Sequence, residues 1–188
     1  MNWPPQRLDA PDPAAYTPRQ QEIHDAIASG PRGSVRGPLA VWLHRPELAA
    51  RAQDLGLYCR YDTSLDPRLS ELAILVTARV FGSEYEWQVH KKHALKAGLE
   101  PNLIEAIRLN RRPDFSDAEL EIVHDVARAA HEKHDVDDGL YARAIAVLGE
   151  QRMVDLIGLL GYYTLISLTI NVFRIPPTGD RQAELADD

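Results

Sequence analysis

The chain has 188 residues, 45% hydrophobic and 26% charged, which favours one globular domain with a single core. The net charge of −7, the pI near 5.5 and the scattered Lys and Arg residues argue against a nucleic-acid partner. The single cysteine, Cys59, excludes an internal disulfide, and no secretory signal is visible. We therefore expect a cytoplasmic protein.

Composition divides the chain into three parts. Residues 1–16 are rich in Pro, Asp and Ala and are expected to form a flexible arm, which could wrap a neighbouring subunit. Residues 17–175 carry a helical pattern and form the predicted domain. Residues 176–188 are expected to be a loose tail.

The predicted elements of the domain are all helices, because no segment alternates apolar and polar residues with a period of two. Capping residues, prolines and glycines mark their ends. Gly56 is predicted to stop the third helix, and Ser116 to Glu119 to form a capping box. The predicted helices are 17–29, 39–44, 47–55, 66–81, 83–98, a short one after 101, 116–134, one beginning at 138, and 150–173. The sequence thus predicts an all-α helical bundle.

The segment 154–173 is apolar enough to require comparison with a membrane span. It has twenty residues and one charge, Asp155, close to the length that crosses a bilayer. It also contains several polar residues and two glycines, and no second such segment exists. We therefore predict a helix buried in the core or between subunits, and no membrane partner.

Glu71 lies inside the most apolar predicted helix, on the same stripe as Ile74 and Leu75. A carboxylate in that position must be paired, hydrogen-bonded or protonated, because an isolated buried charge is too unfavourable. One interpretation is a structural ion pair with Arg79 or Arg60. The other is a functional carboxyl group whose pKa is raised by burial.

The next helix places Glu86, His90 and His93 on one face, while its lysines mark the opposite face as solvated. Polar groups in the middle of a buried face predict a cavity. Three alternatives remain open at this point. In the first, Glu86 closes a capping box with Ser83. In the second, His90 is an ordinary core histidine. In the third, Glu86, His90 and His93 bind a metal, although the pattern differs from His-Glu-x-x-His.

The pattern resembles the core of the carboxymuconolactone decarboxylase and alkylhydroperoxidase D superfamily. In its peroxidase branch a Glu is followed twelve residues later by Cys-x-x-Cys, and a His follows the second Cys by four. Here these four positions are Glu71, Ser83, Glu86 and His90. The resemblance extends over about residues 38–175 and implies the fold of that superfamily and a homo-oligomer, a trimer or hexamer.

Because both motif cysteines are absent, the thiol cycle of the peroxidase branch cannot operate here. The resemblance instead implies a cofactor-independent carbon–carbon lyase of aromatic compound catabolism, which removes CO₂ from a small carboxylated lactone or related acid. Glu71, Glu86 and His90 are the predicted catalytic residues, with Glu71 as the acid. His93 and Asn171 are predicted to contact the substrate. The alternatives are a non-catalytic binding or assembly protein, or the metal-dependent enzyme.

Overall fold

The computed structural model describes residues 3–177 and 182–185, and all regular structure within these ranges is helical. A 3-10 turn at Pro13–Ala15 and a π-helix at Tyr58–Asp62 accompany the α-helices. The α-helices are α1 Pro18–Ser29, α2 Pro38–Trp42, α3 Pro46–Leu57, α4 Pro67–Phe81, α5 Glu84–Ala97, α6 Pro101–Arg108, α7 Ala118–Lys133 and α8 Asp138–Phe173. The all-α prediction is confirmed.

Capping residues form the helix ends where the sequence indicated them. Thr17 Oγ1 accepts a hydrogen bond from Gln20 N at 3.2 Å, and Gln20 Oε1 accepts one from Thr17 N at 2.8 Å. α4 ends at Gly82, whose φ of 58° is the left-handed conformation that favours glycine. α7 differs, because its N-cap is Asp117 and not Ser116, so the predicted box does not form there.

Gly56 does not end α3, contrary to the prediction. The helix continues to Leu57 and then into the π-helix. A Cβ on Gly56 would lie 2.2 Å from the hydroxyl of Tyr162 and 2.5 Å from Arg32 Nη2. Glycine is therefore needed here because another helix approaches closely, a requirement that local sequence does not reveal.

α4 is the centre of the bundle and packs against α5, α6, α7 and α8. Its residues from Leu69 to Ala78 are all buried, which explains why the helix is apolar nearly all round. Glu71 is one of these buried residues. α5 runs back alongside α4, so side chains on its buried face meet those of α4.

α8 consists of two helical segments joined at Gly149, whose φ of 76° interrupts the helix. This agrees with the two separate helices that the sequence predicts for this region. It is long and apolar enough to cross a membrane, but half of its apolar window is buried inside the protein. Asp155, its one charge in that region, accepts hydrogen bonds from Tyr58 Oη at 2.6 Å and from Ser64 N at 2.8 Å. α8 is therefore a core helix with a structural carboxylate.

Both terminal segments pack on the domain where they are described, which differs from the predicted arm and loose tail. Arg7 N donates to Phe173 O at 2.9 Å, and His44 Nε2 donates to Asp9 O at 2.8 Å. In the tail, Glu84 on α5 accepts hydrogen bonds from the backbone of residues 184 and 185. The predictions for residues 1–2, 178–181 and 186–188 lie outside the described residues.

Candidate active site

Glu71, Glu86 and His90 meet between α4 and α5. His90 Nδ1 lies 2.6 Å from Glu71 Oε2, and His90 Nε2 lies 2.9 Å from Glu86 Oε1. All three residues are buried, with His90 only 2% exposed. The arrangement, called the triad below, is a single imidazole held between two carboxylates.

The hydrogen bonds of His90 favour the imidazolium form, since only that form donates from both ring nitrogens. Burial is the largest single influence and acts to lower the pKa of His90. The charge and hydrogen bond of Glu71, together with those of Glu86, outweigh burial and raise the pKa of His90 above its ordinary value of 6.5. The contacts with both carboxylates therefore favour the charged form of His90.

Glu71 is ionised in this arrangement, so the predicted raised pKa is wrong. Burial acts strongly to raise the pKa of Glu71, but the charge and hydrogen bond of His90, together with Arg60 and His93, lower it below 4.5. The paired partner is thus His90 on the neighbouring helix, and neither of the arginines proposed from the sequence. Burial considered alone predicts the wrong direction of the pKa change for a carboxylate whose partner is another buried ion.

Two of the structural alternatives for α5 are not realised. Ser83 makes no side-chain capping bond, and its buried Oγ has no hydrogen-bond partner within the described chain. Glu86 turns instead to His90, one helical turn further on. His90 is likewise not a core histidine bonded to a backbone carbonyl, because both of its nitrogens contact carboxylates.

Part of the triad faces a cavity of about 280 Å³, bounded by the loop after α1, by α5 and by α8. Glu86 and His90 line the cavity, whereas Glu71 does not. As seen from the cavity, Glu71 therefore lies behind His90. The volume is at the lower end of the range of roughly 300–1,000 Å³ typical of small-molecule sites, so the cavity suits a compact ligand.

His93 lies at the mouth of the same cavity, as a substrate contact requires. Its side chain is exposed, and its ring centroid is 5.7 Å from that of His90. Burial and then the charge of Arg60 lower the pKa of His93 below 6.5. The neutral imidazole can therefore accept or donate one hydrogen bond at neutral pH.

Asn171 lies away from this cavity, contrary to the prediction that it contacts the substrate. Its side-chain amide donates to Phe81 O at 2.7 Å and connects the end of α8 to the end of α4. It lines a separate cavity. The helical spacing that selected Asn171 placed it on α8 but could not show which neighbour that part of the helix faces.

Eight other polar cavity residues were not predicted as site residues. The three arginines, Ser34, Tyr61 and Tyr85 lie in a loop, in the π-helix or in α5, where residue spacing gives no sign that they share a site. Tyr162 and Tyr163 carried a signal, because two adjacent phenols inside an apolar helix need polar partners. The eight are Arg32, Ser34, Arg36, Arg60, Tyr61, Tyr85, Tyr162 and Tyr163.

The phenols around the cavity remain protonated donors at neutral pH. Burial raises the pKa of Tyr162 to about 12, and burial also raises the pKa of Tyr163 well above 10. The ring of Tyr163 meets that of His90 edge to face, with centroids 5.1 Å apart. The site thus places neutral hydroxyl donors beside the imidazolium.

The metal-dependent alternative lacks a donor set. Within residues 3–177 and 182–185, no group of three or more His, Cys, Asp and Glu residues is arranged to hold a metal ion. A metal at His90 would have to displace either Glu71 or Glu86 from its ring nitrogen. Histidine binds metals through a free ring nitrogen, and both ring nitrogens of His90 already contact carboxylates.

Residues 46–129 match the model of the carboxymuconolactone decarboxylase family. The matched segment contains the whole triad. No curated protein sequence matches the chain.

Solved structures show the same fold. An uncharacterized peroxidase-related protein from Silicibacter sp. TM1040 has a TM-score of 0.75 at 14% identity, over 94% of each chain. A second peroxidase-related protein, from Ralstonia eutropha JMP134 and described as an alkylhydroperoxidase AhpD core, has a TM-score of 0.74 at 13% identity over 98% and 99% of the chains. The debrominase Bmp8 in complex with 2,3,4-tribromopyrrole has a TM-score of 0.72 at 10% identity, over 98% of this chain and 96% of its own. At these identities the likeness shows the fold alone, which is AhpD-like.

Proposed function

We propose that this chain is a cofactor-independent acid–base enzyme, a decarboxylase-like carbon–carbon lyase acting on a small carboxylated lactone or related acid. One observation carries the proposal: a buried imidazole lies between two carboxylates, one of which faces a cavity of small-molecule size. The family match supports the reaction class. A site of this kind moves protons without needing a redox group.

The order of the triad assigns a role to each residue. When CO₂ leaves, the electron pair of the broken bond moves through the conjugated ring to the carbonyl oxygen of the lactone. The resulting dienolate must then gain a proton on carbon. Glu86 is the triad carboxylate that lines the cavity, so it donates the proton to the dienolate carbon. Glu86 receives this proton from His90. His90 becomes neutral and regains a proton from water, and Glu71 stabilises the imidazolium.

The developing negative charge on the lactone oxygen requires a donor, since stabilising charge as it forms is the largest part of many catalytic effects. Tyr163 and Tyr85 line the cavity as neutral phenols. We assign this donor role to Tyr163, which lies against His90. The chain would thus supply acid, relay and oxyanion donor from its own side chains.

The proposed branch of the family lacks thiol peroxidase activity. Positions 83 and 86 hold Ser and Glu, and Cys59 is buried, with burial and then Asp155 raising the pKa of its thiol. A thiol needs its thiolate form and a resolving partner to reduce a hydroperoxide. Hydroperoxide reduction with a dithiol donor should therefore show no turnover, and substantial turnover would contradict this assignment.

The lyase proposal is tested by CO₂ release from a set of unsaturated γ-lactone carboxylates. Wild type should turn over one or more of them, and Glu86→Gln and His90→Gln should not, with helical content unchanged by circular dichroism. Glu100→Gln is the matched control, because Glu100 is exposed and caps α6 without a side-chain bond. An active Glu86→Gln enzyme would remove the proposed site.

A non-catalytic binding or assembly role is the second candidate. One exposed surface, on α8, supports assembly of the chain with copies of itself. Exposed residues repeat along α8 at alternating spacings of four and three, the pattern of helices that pack together. They are Val154, Gly158, Gly161, Leu165, Leu168 and Val172. We propose a homo-oligomer, a trimer or hexamer, built through this α8 stripe.

A cytoplasmic location without nucleic-acid or membrane partners also remains a proposal.

A further inference from the structure

The cavity carries more positive charge than the triad neutralises. Arg32, Arg36 and Arg60 line it, and within the described part of the chain none of the three forms an ion pair with a carboxylate. Three guanidinium groups and one imidazolium thus accompany two carboxylates, in a protein whose net charge is −7. A positive cavity in an acidic protein indicates an anionic ligand.

Arg60 accounts for part of this charge. Arg60 interacts electrostatically with both carboxylates of the triad, Glu71 and Glu86. Arg60 also stacks over the ring of Tyr61, with 5.4 Å between its Cζ and the ring centroid. The remaining two arginines, Arg32 and Arg36, have no such compensation.

Both of these arginines belong to the loop of residues 30–37 between α1 and α2, which is fixed against the site. Gly37 has a φ of 56°, and a Cβ there would lie 2.6 Å from the hydroxyl of Tyr85, the residue before Glu86. Arg36 Nε donates to Ser34 Oγ at 2.8 Å. The loop is therefore held on α5 with its arginines at the cavity.

Arg32 has an unused donor at this position. Its Nη2 donates to Tyr162 Oη at 3.3 Å, whereas its Nε is buried and has no hydrogen-bond partner among the described residues. A buried charged donor without an acceptor is unfavourable by more than a neutral one. A ligand carboxylate would supply that acceptor, because guanidinium groups match carboxylates in geometry and charge.

We infer that the 30–37 loop is an anion-binding loop, in which Arg32 and Arg36 bind a carboxylate of the substrate and select anionic small molecules over neutral ones. This inference rests on the proposed function for the identity of the ligand as a substrate. The bound carboxylate is one that the substrate keeps. A carboxylate that leaves as CO₂ loses its charge in the transition state, so binding it to arginines would stabilise the ground state and slow the reaction.

The test is binding of a saturated probe whose only carboxylate is on a side chain, (5-oxotetrahydrofuran-2-yl)acetate, compared with its neutral amide, by titration calorimetry. Wild type should bind the acid and prefer it to the amide by about tenfold or more, the effect of one or two charged hydrogen bonds. Arg32→Gln and Arg36→Gln should each weaken binding of the acid by about tenfold and leave the amide unchanged. Arg143→Gln, an exposed arginine on α8 outside this cavity, is the control.

Three results would overturn the inference: no binding of the acid to wild type at millimolar concentration, equal binding of acid and amide, or Arg36→Gln binding the acid as tightly as Arg143→Gln does. Thermal melting of each variant shows whether it is folded, and Arg36, which is exposed, is the safer of the two positions. Glu86→Gln separates the two proposals. If Glu86→Gln retains full turnover while the arginine variants lose acid binding, the lyase mechanism fails and the anion-binding loop stands.

Discussion

Glu86 and His90 meet one turn apart on α5, with Glu86 Oε1 at 2.9 Å from His90 Nε2. This contact is set by the spacing along a single helix, whereas the contact of His90 with Glu71 needs α4 and α5 to be packed together. The charge on His90 is therefore partly a consequence of folding. Four predictions follow from this link and from the close contacts around it.

Stability should depend on the charge of His90. Since the pKa of His90 is raised above 6.5 in the folded protein, its charged form stabilises the fold fully below about pH 6.5, and this contribution is lost as the pH rises through the folded pKa. Glu71 behaves oppositely, because its pKa is lowered: its contribution is present above about pH 4.5 and is lost on acidification.

Urea unfolding between about pH 6 and about pH 9 measures the His90 contribution. The free energy of unfolding of wild type should fall with rising pH, and that of His90→Gln should fall less. Equal slopes for the two proteins would show that the protonation of His90 is not coupled to folding.

Removing the imidazole of His90 alone should reduce the free energy of unfolding more than removing it together with one of the carboxylates. His90→Gln leaves two buried carboxylates without a cation, and breaking a buried ion pair in this way reduces the free energy of unfolding by roughly 3–5 kcal/mol. The double variant Glu71→Gln/His90→Gln removes one of the stranded charges and should recover part of that loss. Denaturation of both variants at neutral pH tests this, and a double variant less stable than the single one would contradict it.

The two carboxylates should differ in their effect on turnover. Glu86 lines the cavity and Glu71 does not, so Glu86→Gln should lower kcat by about 10²–10⁴-fold, the usual contribution of a general acid or base. Glu71→Gln removes the largest influence that raises the pKa of His90. It should move the alkaline limb of the pH–rate profile to lower pH. Identical profiles for Glu71→Gln and wild type would remove Glu71 from the relay.

Gly56→Ala should disturb the fold and the cavity together. The added Cβ would lie 2.2 Å from Tyr162 Oη and 2.5 Å from Arg32 Nη2, and overpacking of this kind reduces stability by about 1–3 kcal/mol. Gly30→Ala is the control, since its Cβ would be 3.5 Å from the nearest atoms. Thermal melts compare the two variants, and equal melting temperatures would contradict the close packing at Gly56.

The sequence predicts the triad because its members are fixed by helical spacing and by an apolar setting. Glu86 and His90 are one turn apart, and Glu71 lies in a helix with almost no polar face. The sign of the pKa change at Glu71 was not predictable in this way. It depends on which buried charge lies opposite on α5, which local sequence does not contain.

The 30–37 loop shows the limit of prediction from sequence more clearly. Its glycines and proline indicate a turn, but nothing in the spacing of Arg32 and Arg36 shows that the loop lies against α5. The contact depends on how α1 and α2 pack on the bundle. Asn171 fails for a similar reason, because the direction of its side chain is decided by the neighbouring end of α4.

The most direct test of the account is the protonation state of His90, measured by nitrogen-15 NMR of the histidine rings at neutral pH. We predict that both ring nitrogens of His90 are protonated, with two slowly exchanging N–H signals that Glu71→Gln and Glu86→Gln each remove singly. A neutral His90 with one ring proton at pH 7, or ring protons that exchange as fast as those of the exposed His134, would contradict the central claim.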